Sequence, residues 1–156
     1  MKTTLVFDTS ALVSLGHTGL INIILKNFNI IVTRSIIDEL KEISKGNDDD
    51  AQSAKKWLKL TKNLKIKKSK GNKIGEEDLV EICLKEKRFL ITDDIKAIKK
   101  YKDRIKCYYS VHIVYILFKK AKISKERAIM SIEKMRTKRS WKSNIIYVTS
   151  SVLFEE

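Results

Sequence analysis

Thr4-Leu5-Val6-Phe7-Asp8 and Phe89-Leu90-Ile91-Thr92-Asp93-Asp94 are two short apolar runs that each end abruptly in carboxylate. Runs of this length, too short for a helix and rich in β-branched and aromatic residues, read as buried strands. In an open α/β sheet, ligands bind just outside the carboxyl ends of the strands. Asp8 and the Asp93-Asp94 pair are therefore expected at the functional edge.

Working outward, the 3.6-residue and extended patterns alternate along the chain. A strand is predicted over 4–7, a short helix from Ser10, another over 19–26, and a strand over 30–33. Residues 34–44 carry Ile36, Ile37, Leu40 and Ile43 at helical spacing. Residues 45–50 read as a loop, with Asp48-Asp49-Asp50 a solvated turn or helix cap, and 51–60 as a helix with Trp57 facing inward. A strand over 64–67, a basic loop over 68–73 and a helix over 75–85 follow, then a strand over 89–92, a helix over 95–100 and a strand over 106–108. Helices are expected over 110–119 and 124–135, and 144–149 reads as strand or loop before a last helical turn. Proline is absent, so Gly, Asn, Asp and Ser supply the breaks. Strands alternating with helices imply crossover connections. The predicted fold class is α/β: a three-layer α/β/α sandwich around a central parallel sheet of four or five strands.

The 156 residues fit one domain, 1–156, large enough to bury a core. No apolar run approaches the roughly 20 residues that span a bilayer, and the first residues lack the pattern of a signal peptide. The expectation is a cytoplasmic protein with no membrane partner. Thirty-three Lys+Arg against 19 Asp+Glu give a net charge of +14, which suits a polyanionic partner but equally a solvated basic surface. Cys83 and Cys107 stand among apolar neighbours, outside any metal spacing, and read as buried reduced thiols. His17 and His112 lack a second His or Cys at ligand spacing, which argues against a zinc enzyme. Neither a G-x-x-x-x-G-K-[ST] loop nor a G-x-G-x-x-G turn is present.

What remains is carboxylate: Asp8, Glu39 within the third helix, Glu76, Glu77 and Asp78 at the start of a later one, and Asp93 and Asp94. Crowded carboxylates repel one another and some stay protonated; a hard divalent cation relieves this. Acid at a sheet edge on a basic protein points to metal-assisted phosphodiester hydrolysis. Each acid also has a structural reading. Asp8 can be a turn acid, Glu39 a solvated helix residue, the Glu76–Asp78 group a complement to the helix dipole, and Asp94 an N-cap.

The four groups resemble the PIN-domain family. Asp8-Thr9-Ser10-Ala11-Leu12 looks like its opening. Ser35-Ile36-Ile37-Asp38-Glu39-Leu40 is similar to its helix with a lone Glu, Gly75-Glu76-Glu77-Asp78 to its acid near the start of a central helix, and Thr92-Asp93-Asp94 to its Thr-x-Asp after a strand. The resemblance is clearest over 1–135; the tail 136–156, with Arg139 and Trp141, matches no landmark, and the lysine-rich stretch 45–73 is long. The resemblance implies a Mg²⁺- or Mn²⁺-dependent endoribonuclease acting on RNA, with DNA still open as a substrate. It also implies a homodimer and, in many small members, the toxin of a VapBC-type pair with an antitoxin protein as partner. It places Asp8, Glu39, Asp78 and Asp94 at the metal, with Glu76 as the alternative third acid and Asp93 as an accessory. Ser10 and Thr92 become hydroxyls that orient carboxylates or water. Two other readings stand beside this one. One is a non-catalytic PIN-like module that binds RNA or protein. The other is a phosphatase- or receiver-like domain, disfavoured because Ser10 stands where a second acid is needed.

Overall fold

The computed structural model describes residues 1–68, 76–141 and 144–155. Five strands, β1 (Thr3–Phe7), β2 (Phe28–Thr33), β3 (Lys65–Lys67), β4 (Leu90–Ile91) and β5 (Cys107–Tyr108), form one all-parallel sheet in the order β3-β2-β1-β4-β5. The β1–β2 register pairs Leu5 with Ile30, and β1–β4 pairs Phe7 with Ile91. The predicted sandwich is the observed one, with helices flanking the sheet. From β1 the chain builds outward through β2 and β3, then crosses back to lay β4 and β5 on the other side of β1. The order therefore reverses between β1 and β4, the position at which open α/β sheets form their crevice.

The central strands are covered on both faces. Every residue of β2 except Asn29 is buried, as parallel sheets require. Among the described residues the helices are α1 (Thr9–Gly16), α2 (Ile21–Asn27), α3 (Arg34–Ser44), α4 (Asp49–Leu58), α5 (Glu76–Glu86), α6 (Ile95–Tyr101), α7 (Ser110–Lys119), α8 (Lys125–Lys138) and α9 (Ile145–Leu153). None is long and apolar enough to cross a membrane. Helix α5 lies against β1, β2 and β4; α1 packs on α3, α4 and α7, and α7 on α8 and α9. Phe7, Leu12, Leu15, Ile31, Ile37, Leu40 and Trp57 are closed to solvent, each such side chain being worth roughly 1.5–3 kcal/mol.

Caps fix where the helices begin. The Thr33 hydroxyl accepts from Ile36 N at 3.3 Å and starts α3. Asp48 accepts from Ala51 N at 2.8 Å, so α4 begins at Asp49, inside the stretch expected to be a loop. Asn144 accepts from Tyr147 N at 3.1 Å and starts α9, where the sequence suggests strand or loop. The β-branched run there has strand propensity; the cap and packing against α7 and α8 override it.

Helices α1 and α4 touch closely. A Cβ on Gly16 would lie 1.9 Å from Ser53 Oγ. Ser53 Oγ donates to Val13 O at 2.6 Å and Trp57 Nε1 to Leu12 O at 2.6 Å, so α4 docks on α1 through backbone carbonyls near its C-terminal end. Both cysteines are free, and burial pushes the Cys83 thiol up to about 12. The basic loop expected over 68–73 falls almost wholly outside the described residues.

Candidate active site

Asp8 directly follows β1. Its backbone N–H continues the ladder to Ile91 O at 3.0 Å. Its side chain caps α1, Oδ1 accepting from Thr9 N at 2.7 Å. Oδ2 accepts from Thr92 Oγ1 at 2.7 Å and from Ser10 Oγ at 3.3 Å. The same two hydroxyls accept in turn, Thr92 from Asp94 N at 3.1 Å and Ser10 from Asp93 N at 2.9 Å. One strand end is thus tied to the other through Ser10 and Thr92. Burial raises the Asp8 carboxyl above the ordinary carboxylate value. The hydrogen bonds from Thr92, Thr9 and Ser10 oppose that, and the charge of Asp94 adds to it.

Glu39 reaches the same place from α3, where Thr9 Oγ1 donates to its Oε2. Asp94 caps α6, its Oδ1 accepting from Lys96 N at 3.0 Å and Ala97 N at 3.2 Å. Asp8, Glu39 and Asp94 line one cleft of about 330 Å³ beside the β1–β4 switch point, with Val13, Ile36 and Leu79 in its wall.

Other expected residues lie elsewhere. Asp93 is buried and turned toward α7, accepting from Ser110 N at 2.8 Å and Ser110 Oγ at 2.6 Å. Burial raises its carboxyl, and the Ser110 contacts oppose the rise. Asp78 is 4% exposed and lines a different cavity, with Lys67, Lys68, Ile82 and Glu86. Its Oδ2 is buried without a hydrogen-bond partner. Its neighbour Leu79 is the α5 residue that lines the cleft. The side chain of Glu76 lies outside the described residues, and Glu77 accepts from Tyr101 Oη at 3.0 Å.

The sequence reading did not single out Thr9, although it sits between two residues that were singled out. It also left Arg139 without a role. At the end of α8, Arg139 lines the acidic cleft, and its Nη1 donates to Asp50 Oδ2 at 2.7 Å. Asp50 Oδ1 meets His17 Nε2 at 2.9 Å, and Lys138 Nζ meets Asp49 Oδ2 at 3.1 Å. The acidic run 48–50, read as a solvated turn or cap, thus caps α4 and clamps α8 onto it. Nothing in the sequence pairs residues 89 positions apart.

The donors suit a hard cation, being carboxylate oxygens of which one is disfavoured as an anion by burial and by its neighbour's charge. They are not a closed cage: among the described residues no three His, Cys, Asp or Glu groups gather as a metal-binding set. Mg²⁺ commonly takes only one or two carboxylates and keeps several waters, so an open set fits it.

A family model described as a PIN domain (DUF3368) matches residues 4–156, through the tail that carries no sequence landmark. The chain belongs to the PIN-domain family, whose members are typically nucleases and generally use divalent metals. No curated protein matches it. Among solved structures it is similar to a domain of a functionally unknown protein from Methanocaldococcus jannaschii. The identity there is 17%, over 69% of this chain and 90% of that one, with a TM-score of 0.50. A PilT N-terminus domain protein from Sulfolobus solfataricus is 19% identical over 71% of this chain and 90% of that one, with a TM-score of 0.48. At 17% identity the likeness to the Methanocaldococcus jannaschii domain concerns the fold alone.

Proposed function

We propose that the protein is a Mg²⁺- or Mn²⁺-dependent endoribonuclease whose site is the cleft of Asp8, Glu39 and Asp94. The observation that carries this reading is the convergence of three carboxylates from separate parts of the chain at the β1–β4 switch point. One or two of Asp8, Glu39 and Asp94 would hold the ion. When bound, the ion would supply charge to offset the phosphate and a nucleophile at neutral pH. The chain's part is positioning. Thr92 and Ser10 hold Asp8 Oδ2, Thr9 holds Glu39, and the α6 amides hold Asp94 Oδ1. Among the described residues Asp94 Oδ2 has no hydrogen-bond partner and stays available. Cleavage of single-stranded RNA with Mn²⁺ tests the reading: wild type cuts and Asp8→Asn does not. Equal rates in the two would sink it. A toxin role with an antitoxin partner, and a homodimer, rest on the family resemblance alone; a DNA-binding antitoxin encoded next to this chain would support the toxin role.

Two observations favour a second reading, a PIN-like module that binds RNA or protein without cutting. Asp78 lines a separate cavity, and among the described residues the three acids of the cleft do not close into a metal-binding set. Calorimetric titration with Mn²⁺ separates the two. A saturable site lost in Asp8→Asn supports the nuclease; RNA binding with no such site supports the module.

A further inference from the structure

We propose that Arg139 is the side chain that holds a phosphate of the substrate in the acidic cleft; the proposal rests on the nuclease reading for the identity of that substrate, an RNA. Asp8, Glu39 and Asp94 would repel a phosphate diester, and Arg139 is the cation that lines the same cleft among the described residues. It is fixed there. Asp50 holds Nη1 with one carboxylate oxygen and has its other oxygen on His17, so the guanidinium is anchored through α4 to the end of α1. The Arg139 side chain is 21% exposed, shielded yet reachable from solvent.

The donor count leaves capacity for a ligand. A guanidinium carries five N–H donors in a rigid fork. Among the described residues Arg139 donates one hydrogen bond, to Asp50, and its Nε is buried with no partner. A plain staple between α8 and α4 needs no such placement. The neighbouring pair Lys138–Asp49 ties the same two helices and lies outside the cleft lining. An anchored, under-used fork beside carboxylates suits an oxyanion, which guanidinium binds through parallel N–H donors.

The test is binding of a fluorescently labelled single-stranded RNA by the full chain in Ca²⁺ buffer, read by anisotropy at several salt concentrations. Arg139→Gln should weaken binding about 10-fold and lower the salt slope by about 0.7, the loss of one phosphate contact to a single strand. Arg139→Lys should keep the slope and bind more weakly than wild type, because the charge stays and the fork goes. Unchanged affinity and slope in Arg139→Gln, or no RNA binding by the wild type, overturns the proposal. Should Arg139→Gln fail to fold by circular dichroism, Arg139→Lys decides alone, and wild-type affinity in it overturns the proposal. Cleavage with Mn²⁺ distinguishes the two readings. An inert wild type whose RNA binding still depends on Arg139 removes the nuclease and keeps the anchor. An active wild type indifferent to Arg139→Gln keeps the nuclease and removes the anchor.

Discussion

At the scale of single residues, Asp8 carries opposing demands. Burial raises its carboxyl from 3.8, so the folded state favours the protonated form. Between 3.8 and the folded value the native chain binds more protons than the unfolded one, and stability falls as pH rises through that window. Asp8→Asn should therefore unfold at a higher temperature than wild type at pH 7, with the gain gone below pH about 3.8, while RNA cleavage falls by more than the ~10- to 100-fold that loss of an outer-shell partner costs a metal site. Thermal melts at the two pH values beside a cleavage assay check both halves. Thr92→Val keeps shape but removes the hydroxyl shared by Asp8 and Asp94 N. A 10- to 100-fold loss of Mn²⁺ affinity or rate is the expected order, measured by calorimetry and single-turnover cleavage. Asp8 and Asp94 were legible because each follows a predicted strand, whereas Glu39, which reads as a solvated helix residue, stood out only through the family resemblance. The resemblance put Asp94 at the metal with Asp93 beside it as an accessory, but successive side chains alternate in direction along extended chain, which sends Asp93 away to Ser110 and Asp94 to the cleft. On α5 a single residue turns the direction by about 100°. That separates Leu79 in the cleft wall from Asp78 in another cavity, a phase that no local spacing specifies.

At the scale of elements, the contact between α1 and α4 holds the site in place, since α1 begins at the residue after Asp8. Gly16→Ala would press Cβ into Ser53 Oγ and force that hydroxyl off Val13 O. A loss of about 1–3 kcal/mol is expected from overpacking, seen in urea denaturation; Gly16→Ala paired with Ser53→Ala should recover part of it. Helix α3 was legible to its ends because its apolar stripe and Thr33 cap agree. Helix α9 was not, because Ile145-Ile146-Tyr147-Val148 has strand propensity and its helical state depends on α7 and α8. The first turn of α4 was read as loop because consecutive acids look solvated until α8 supplies Lys138 and Arg139 to meet them.

Across the whole molecule, the two histidines set an acid limit on stability. Burial lowers both His17 and His112 from 6.5. Asp50 opposes the shift at His17, while Tyr109 N donates to His112 Nδ1 at 3.0 Å and so requires a neutral ring nitrogen there. The unfolded chain takes up these protons first, so stability is full above 6.5 and declines as pH falls from 6.5 toward the folded values. Urea midpoints at pH 7.5 and 5.5 should differ in that direction, and the double variant His17→Gln with His112→Gln should flatten the difference. The five-stranded order was legible only as alternation: periodicity gives strands and crossovers, whereas the return of β4 to the far side of β1 is a long-range choice of packing. Trp57 gives a different kind of handle. The chain has two tryptophans, Trp57 and Trp141, and the Trp57 indole is 0% exposed with its N–H on the Leu12 carbonyl of α1. In a Trp141→Phe background its emission becomes an optical gauge of whether the helix that follows Asp8 is docked. Loosening of that helix would then appear as a spectral red shift, readable without RNA, metal or turnover.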